Sequence, residues 1–292
     1  MTLIPRIGLV IRPEWPPEQL RGYAAAVEAA GLDEVWLWED CFFSGGVAAA
    51  SAALAATSSV RVGLGLMPAP LRNPVLAAME ISGLARLFPG RFVPAAGHGV
   101  LPWMVQVGAS VASPMGLLRE WVPAVRALLG GETVTVSGEY VRLDQVTLDW
   151  PPPEPVPLLV GARGPKTLAL AGQLADGLVL DASFTAAGVA RAIAQSVAAR
   201  PAAARPAEVV VYLPAGSAPG SAERILAQLR VPTDPLPERT ALGTPAEVAA
   251  AIRAYAGAGA TTVALQPTPD DPDIEGTLAL AAAARDHLHR EG

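Results

Sequence analysis

The stretch Leu158-Leu159-Val160-Gly161-Ala162-Arg163-Gly164-Pro165-Lys166 opens as a strand and closes as a helix. With Pro157, its apolar first part reads as a short buried strand. Pro165 fits the first helical position, where its missing N–H goes unused, and the helix runs to about Leu174. Between them lies a glycine-bearing turn. The free N–H groups and the positive dipole end of the helix converge on one spot, so the turn can hold a phosphate. Tight strand-to-helix turns also use glycine with no ligand present, and on these residues alone the two readings stand even. The turn carries Lys166, the chain's single lysine.

Working outward, the same unit recurs. Apolar runs at 7–11, 34–38, 60–67, 91–96, 157–160, 178–181, 208–213 and 261–266 read as strands. Helical patterns follow at 17–30, 46–57, 73–87, 114–129, 165–174, 185–199, 220–229 and 273–289. A further helix at 244–257 starts with the capping box Thr244-Pro245-Ala246-Glu247. Two stretches break the rhythm. Residues 132–149 alternate around Ser137-Gly138 and read as a β-hairpin, and 230–243 is a proline-rich loop. Most strands are continuously apolar, as strands covered on both faces are. Eight strand–helix units in 292 residues predict a single domain over 1–292, a (β/α)8 TIM barrel with the hairpin inserted before the fifth barrel strand. An open dinucleotide-binding sheet would need a glycine-rich turn after the first strand, where this chain has Arg12-Pro13-Glu14-Trp15.

Composition narrows the functional classes. Acidic residues outnumber basic ones, 27 to 21, and no basic block exists, so nucleic acid is not an expected partner. Cys41 is the single cysteine, which excludes an internal disulfide and fits a reducing, cytoplasmic setting. Residues 1–12 do not read as a signal peptide, and the alanine-rich runs 47–56 and 277–285 are too short or interrupted to span a bilayer. The alanine-rich helices 46–57 and 73–87 carry more small apolar surface than a barrel helix facing solvent needs, which predicts a homodimer through them. His287 and His289 lie two apart on a helix and so on different faces, and no serine-centred elbow occurs. No metal site is expected.

A TIM barrel places its active site at the C-terminal strand ends. That rule nominates Arg12, Glu14 and Trp15; Trp38, Glu39 and Asp40; residues 66–70; Gly97, His98 and Gly99; the 161–166 turn; Asp181; Pro214; and Gln266. Glu39 and Asp40 set two carboxylates side by side at a strand end. A helix-terminal charge and a rim acid would look the same. His98 is the one histidine outside the last helix, and its imidazole can exchange a proton near neutral pH or serve as a hydrogen-bonding group.

Together these segments resemble a known family. "AAGLDEVWLWED" (29–40), "VRVGLGLMPAPLRNP" (60–74), "LARLFPGRF" (84–92), "GHG" (97–99), "GARGPKTLALAG" (161–172) and "ADGLVL" (175–180) occur in the order and spacing of the luciferase-like monooxygenase superfamily. They look most like its coenzyme F420-dependent oxidoreductase branch, which includes methylenetetrahydromethanopterin reductase. The resemblance runs from Ile7 to about Pro267 and includes the hairpin. It implies that Gly161, Ala162, Arg163, Gly164, Pro165 and Lys166 hold the cofactor's phosphate. It also implies that Gly97, His98 and Gly99 flank the ribityl chain and that Asp40 contacts the deazaflavin. A bulge with a cis peptide at Gly65–Leu66 is expected to pack on the ring. Glu39 and His98 are the candidates for proton transfer. The expected activity is hydride transfer between F420 and a small organic substrate. The alternatives are an FMN-dependent monooxygenase of the same fold and a non-catalytic flavin- or deazaflavin-binding protein. The last is prompted by a short 214–243 segment and by Val100-Leu101-Pro102, where relatives often carry an acidic or polar residue after the GHG.

Overall fold

The structure, a computed structural model, describes residues 4–202, 207–229 and 236–291. Among the described residues, ten strands and ten helices follow one another: β1 (Arg6–Val10), α1 (Leu20–Ala29), β2 (Glu34–Leu37), α2 (Gly46–Ala55), β3 (Arg61–Pro68), α3 (Pro74–Leu87), β4 (Phe92–Gly97), α4 (Leu101–Gln106), α5 (Pro114–Leu129), β5 (Val134–Ser137), β6 (Arg142–Val146), β7 (Leu159–Gly161), α6 (Pro165–Leu174), β8 (Gly177–Leu180), α7 (Ala186–Ala198), β9 (Glu208–Pro214), α8 (Ser221–Leu229), α9 (Pro245–Gly257), β10 (Thr262–Gln266) and α10 (Ile274–Glu291). Eight strands close a parallel barrel in the order β1-β10-β9-β8-β7-β4-β3-β2. The expected TIM barrel is present, and β5 and β6 form the separate antiparallel hairpin before the fifth barrel strand.

The chain builds two apolar layers. One lies between strands and helices and gathers Leu9, Val35, Leu64, Leu118 and Val211 with the inner faces of the helices. The other fills the barrel lumen with Val10, Trp36, Val93, Leu159, Val210 and Tyr212. Trp36 is fully buried and lies flat against the backbone of Gly63, where an added Cβ would come within 2.4 Å of its ring. The glycine makes room for the indole. Burying a ring of that size contributes roughly 4–6 kcal/mol as an upper value. Below it, Glu34 is also fully buried, accepts from Trp36 Nε1 at 2.7 Å and pairs with Arg6 and Arg61. This charged cluster closes the base of the barrel, and the upper end is left for chemistry.

The helix starts follow the sequence signals. Asn73, Ser113, Thr185 and Thr244 each accept a backbone N–H in the first turn of α3, α5, α7 and α9, and the expected capping box at Thr244 is complete. The hairpin lies along α5. Glu120 accepts the backbone N–H groups of Glu139, Tyr140 and Val141, and Ser113 N–H donates to the Tyr140 hydroxyl at 3.0 Å. Its turn thus reaches the mouth end of α5 while its strands run down the flank. The expected loop 230–243 lies outside the described residues over 230–235; the part that follows contains a short 3-10 helix, Leu236–Arg239. None of the helices, among the described residues, is long and apolar enough to cross a membrane.

Candidate active site

The mouth is organised by β3. Its pairing with β4 slips between Leu64 and Met67, so Gly65 and Leu66 form a bulge, and the Gly65–Leu66 peptide is cis. Cys41–Phe42 is a second cis peptide, which the sequence did not suggest. The bulge is fixed from two sides. Tyr212, from β9, donates its hydroxyl to the Gly65 carbonyl at 2.8 Å, and Glu39 N–H donates to the Leu66 carbonyl at 3.2 Å. Burial pushes the Tyr212 phenol well above its ordinary pKa, so it stays protonated and remains a donor. An alanine-like Cβ on Gly65 would meet that hydroxyl at 2.5 Å. The bulge turns the Leu66 side chain inward, where it lies over the ends of β4 and β7. A Cβ on either Gly97 or Gly161 would come within 2.4 Å of Leu66 Cδ2. Three of the nominated glycines therefore shape one cradle.

Next to this cradle is the start of α6. Gly164 is its N-cap, with φ −90° and ψ 158°, and no side chain caps the helix. Pro165 has no N–H, so the Lys166 and Thr167 N–H groups stay available. Gly164 has ordinary extended backbone, and a Cβ there would touch nothing within 4 Å. Its lack of a side chain leaves open space in front of the helix end and is not a conformational necessity. Ala162 is buried, whereas Lys166 is exposed. Arg163 turns away to an ion pair with Asp181, whose other oxygen accepts from Ser183 N–H.

The remaining candidates separate by their partners. His98 Nε2 lies 3.3 Å from the Thr167 hydroxyl, which ties the end of β4 to the first turn of α6. Burial lowers the His98 pKa below 6.5, and the Pro114 backbone beside the ring partly offsets this. The ring is neutral at pH 7. Glu39 is paired with Arg72 at 2.8 Å, and Arg72 also holds Glu80 at 2.9 Å. Burial disfavours the charge on Arg72, but the two carboxylates outweigh it and raise its pKa. Asp40 accepts from Trp38 Nε1 at 2.9 Å, and its pKa is raised, chiefly by burial. Trp38 contacts both Tyr212 (ring centroids 5.7 Å) and the Arg12 guanidinium (4.9 Å). Arg12 is itself buried and paired with Glu14 at 2.6 Å. Asp40, Trp38 and Arg12 thus form one connected group, joined to the bulge through Tyr212, and Leu66 of the bulge reaches Gly97 and Gly161.

A model of the luciferase-like monooxygenase family matches residues 5–230. The chain belongs to this family. Among its curated relatives, a 5,10-methylenetetrahydromethanopterin reductase of Methanolobus tindarius is 30% identical over 177 residues, covering 60% of this chain and 54% of that protein. An F420-dependent glucose-6-phosphate dehydrogenase of Nakamurella multipartita is 33% identical over 181 residues, covering 57% and 52%. The chain spans about half the length of these two relatives. The structure of an F420-dependent secondary alcohol dehydrogenase holding an F420–acetone adduct superposes with TM-score 0.87 at 23% identity, over 98% of this chain and 99% of that one. At that identity the likeness shows the luciferase-like fold.

Three residues that shape this site, and one contact, had not been nominated from the sequence. Tyr212 was signalled by a hydroxyl inside the apolar run "VVVYLP", Thr167 by its place in the first turn of α6, and Arg72 by the "RNP" after the third strand. The Arg12–Trp38 stack joins β1 to β2 and has no signal in the linear order.

Proposed function

We propose that this protein is an F420-dependent oxidoreductase that moves a hydride between the deazaflavin and a small organic substrate. One observation carries the reading: the Gly65–Leu66 bulge lies over Gly97 and Gly161 beside an uncapped helix N-terminus. That arrangement suits a flat ring on the bulge with a phosphate at the Lys166 and Thr167 N–H groups. The name of the Nakamurella multipartita relative, an F420-dependent dehydrogenase, supports the choice of cofactor. When bound, F420 supplies or accepts the hydride. The protein's part is placement. Tyr212 and Glu39 N–H hold the bulge, Gly97, His98 and Gly99 border the linker between ring and phosphate, and Asp40 faces the ring edge. For the proton that accompanies hydride transfer, the geometry favours His98 over Glu39. The His98 ring is neutral and paired with no charged group, whereas Glu39 is engaged by Arg72. Trp38 and Leu66 keep water from the floor of the site. FMN with oxygen is the competing chemistry.

We assign the assembly to a homodimer through α2 and α3. Leu76, Met79 and Leu87 lie on one face of α3 and are 46%, 57% and 72% exposed. The test of activity is to incubate the protein with F420 and a panel of secondary alcohols, aldehydes and imines and to follow the absorbance of the oxidised deazaflavin. Turnover with any member supports hydride transfer. Tight F420 binding with no turnover across the panel, from either oxidation state, would leave a binding protein in its place.

A further inference from the structure

Exposed apolar side chains gather at one part of the barrel mouth. Phe42 and Phe43 stand exposed in the β2–α2 connection, and Val100, Leu101, Val105 and Val107 in the β4–α5 connection that contains α4. Of the eleven large apolar residues that are exposed among the described residues, these six share two connections. Scattered single residues of this kind are ordinary on a protein surface, whereas a grouped set marks a binding surface.

Both connections are fixed to the end of β3. On the β2 side, Glu39 N–H holds the Leu66 carbonyl three residues before Phe42, and Phe43 N–H donates to the Asp40 carbonyl at 3.0 Å to close the turn. On the β4 side, α4 is pinned by the buried Met104. A Cβ on Gly99 would come within 2.9 Å of Pro68 Cβ and 3.2 Å of Met104 Sδ, so this connection meets β3 two residues past Leu66. Leu101 and Val105, four apart, share a face of α4. Because β2 and β4 are the barrel neighbours of β3, the two exposed apolar groups flank the Gly65–Leu66 bulge.

The sequence keeps charge out of both groups. Residues 41–60 and 92–118 contain no Asp, Glu, Lys or Arg, and both stretches are described throughout. The ionic groups next to them are engaged elsewhere, Glu39 by Arg72 and Arg12 by Glu14. Val105 is 67% exposed and Phe42 61%, so neither contributes much to the fold. Two charge-free apolar lips beside the floor of a site suit the hydrocarbon part of a ligand that reacts over that floor.

We infer that these lips bind the hydrocarbon portion of the substrate, which makes the substrate class a carbonyl compound or alcohol with an extended apolar chain or ring and not a phosphorylated or carboxylated one. The inference rests on the oxidoreductase reading above. The oxygen-bearing carbon lies over the bulge, and the apolar portion runs out between Phe42–Phe43 and α4.

Calorimetry with straight-chain methyl ketones of three to nine carbons tests this, on the protein without cofactor and on the protein loaded with oxidised F420, which has no hydride to give. Affinity should rise about twofold per added methylene, the value for a methylene that loses about half its water contact. The heat-capacity change of binding should grow more negative along the series. Leu101→Ser and Val105→Ser should each flatten the rise while Tm and F420 affinity are kept, and Val105→Glu should flatten it further. A series without a rise in the wild type overturns the inference and leaves the cofactor reading intact. A rise that persists unchanged in all three variants overturns it as well. An oligomer that the serine variants dissociate, seen by sedimentation together with a flat series, gives the lips to a second copy of the chain and also overturns it. A rise in protein that binds no F420 keeps the apolar site and removes the cofactor reading alone.

Discussion

Replacing Gly164 with valine separates the two roles a glycine can have in a strand-to-helix turn. If the glycine serves the backbone, the variant unfolds early; if it serves a ligand, the fold survives and binding fails. Its φ of −90° and ψ of 158° are open to any residue, and a Cβ would meet nothing within 4 Å. The remaining cost is the poorer capping of valine, about 1 kcal/mol at most, or some 2–4 °C in Tm. The branched side chain would project into the space before the Lys166 and Thr167 N–H groups. Loss of one hydrogen bond to a charged phosphate costs about 1.5–3 kcal/mol, a fall in affinity of about ten- to 150-fold. Lys166→Ala removes an exposed charge worth about 1 kcal/mol or less, so affinity should drop about fivefold or less. The assay is F420 fluorescence titration with thermal unfolding on the same samples. Wild-type affinity in Gly164→Val would remove the phosphate from this turn. A large loss of Tm in that variant would show that the glycine serves the fold.

Other changes probe the scaffold. Tyr212→Phe leaves the buried Gly65 carbonyl without its donor and should cost about 1–3 kcal/mol in chemical denaturation; an unchanged midpoint would mean the bulge needs no such support. Glu28 accepts the backbone N–H groups of Ser58, Ser59 and Val60, which lower its pKa from 4.5 to about 2. Because the folded pKa is the lower one, its stabilisation is full above pH 4.5 and is lost as pH falls towards 2. Glu28→Gln should therefore flatten the acid limb of the stability curve over that window, and an unaltered limb would contradict the assignment. Met79→Glu on the exposed α3 face should shift a dimer to monomer in sedimentation at micromolar concentration; a wild type that is already monomeric there ends the dimer proposal.

The barrel was legible because its strands are continuously apolar and its helices carry local start signals such as Asn73, Ser113 and Thr244. Those signals act within a few residues, and the expected elements match the observed ones within a residue or two at most ends. The short helix α4 escaped notice because its six residues include Pro102 and give too little periodicity. The site was legible in position, since the fold puts strand ends at the mouth, but its interactions were not. Glu39 and Asp40 are adjacent in sequence yet differ in state, one held by Arg72 from the β3–α3 connection and the other by Trp38. Leu66 over Gly97 and Gly161 joins three strands, and no spacing along the chain records that contact. Gly164 has ordinary extended backbone, so any need for glycine there comes from outside the chain.

We propose that the mouth between the β3 bulge and the α6 terminus is built for a deazaflavin. Side-by-side titration of the protein with F420 and with FMN, each followed by its own fluorescence, tests it most directly. The expected result is saturable one-to-one binding of F420 with a dissociation constant at least about tenfold lower than that of FMN, a difference of about 1.4 kcal/mol. Tighter binding of FMN, or no binding of F420 to folded protein, would contradict it.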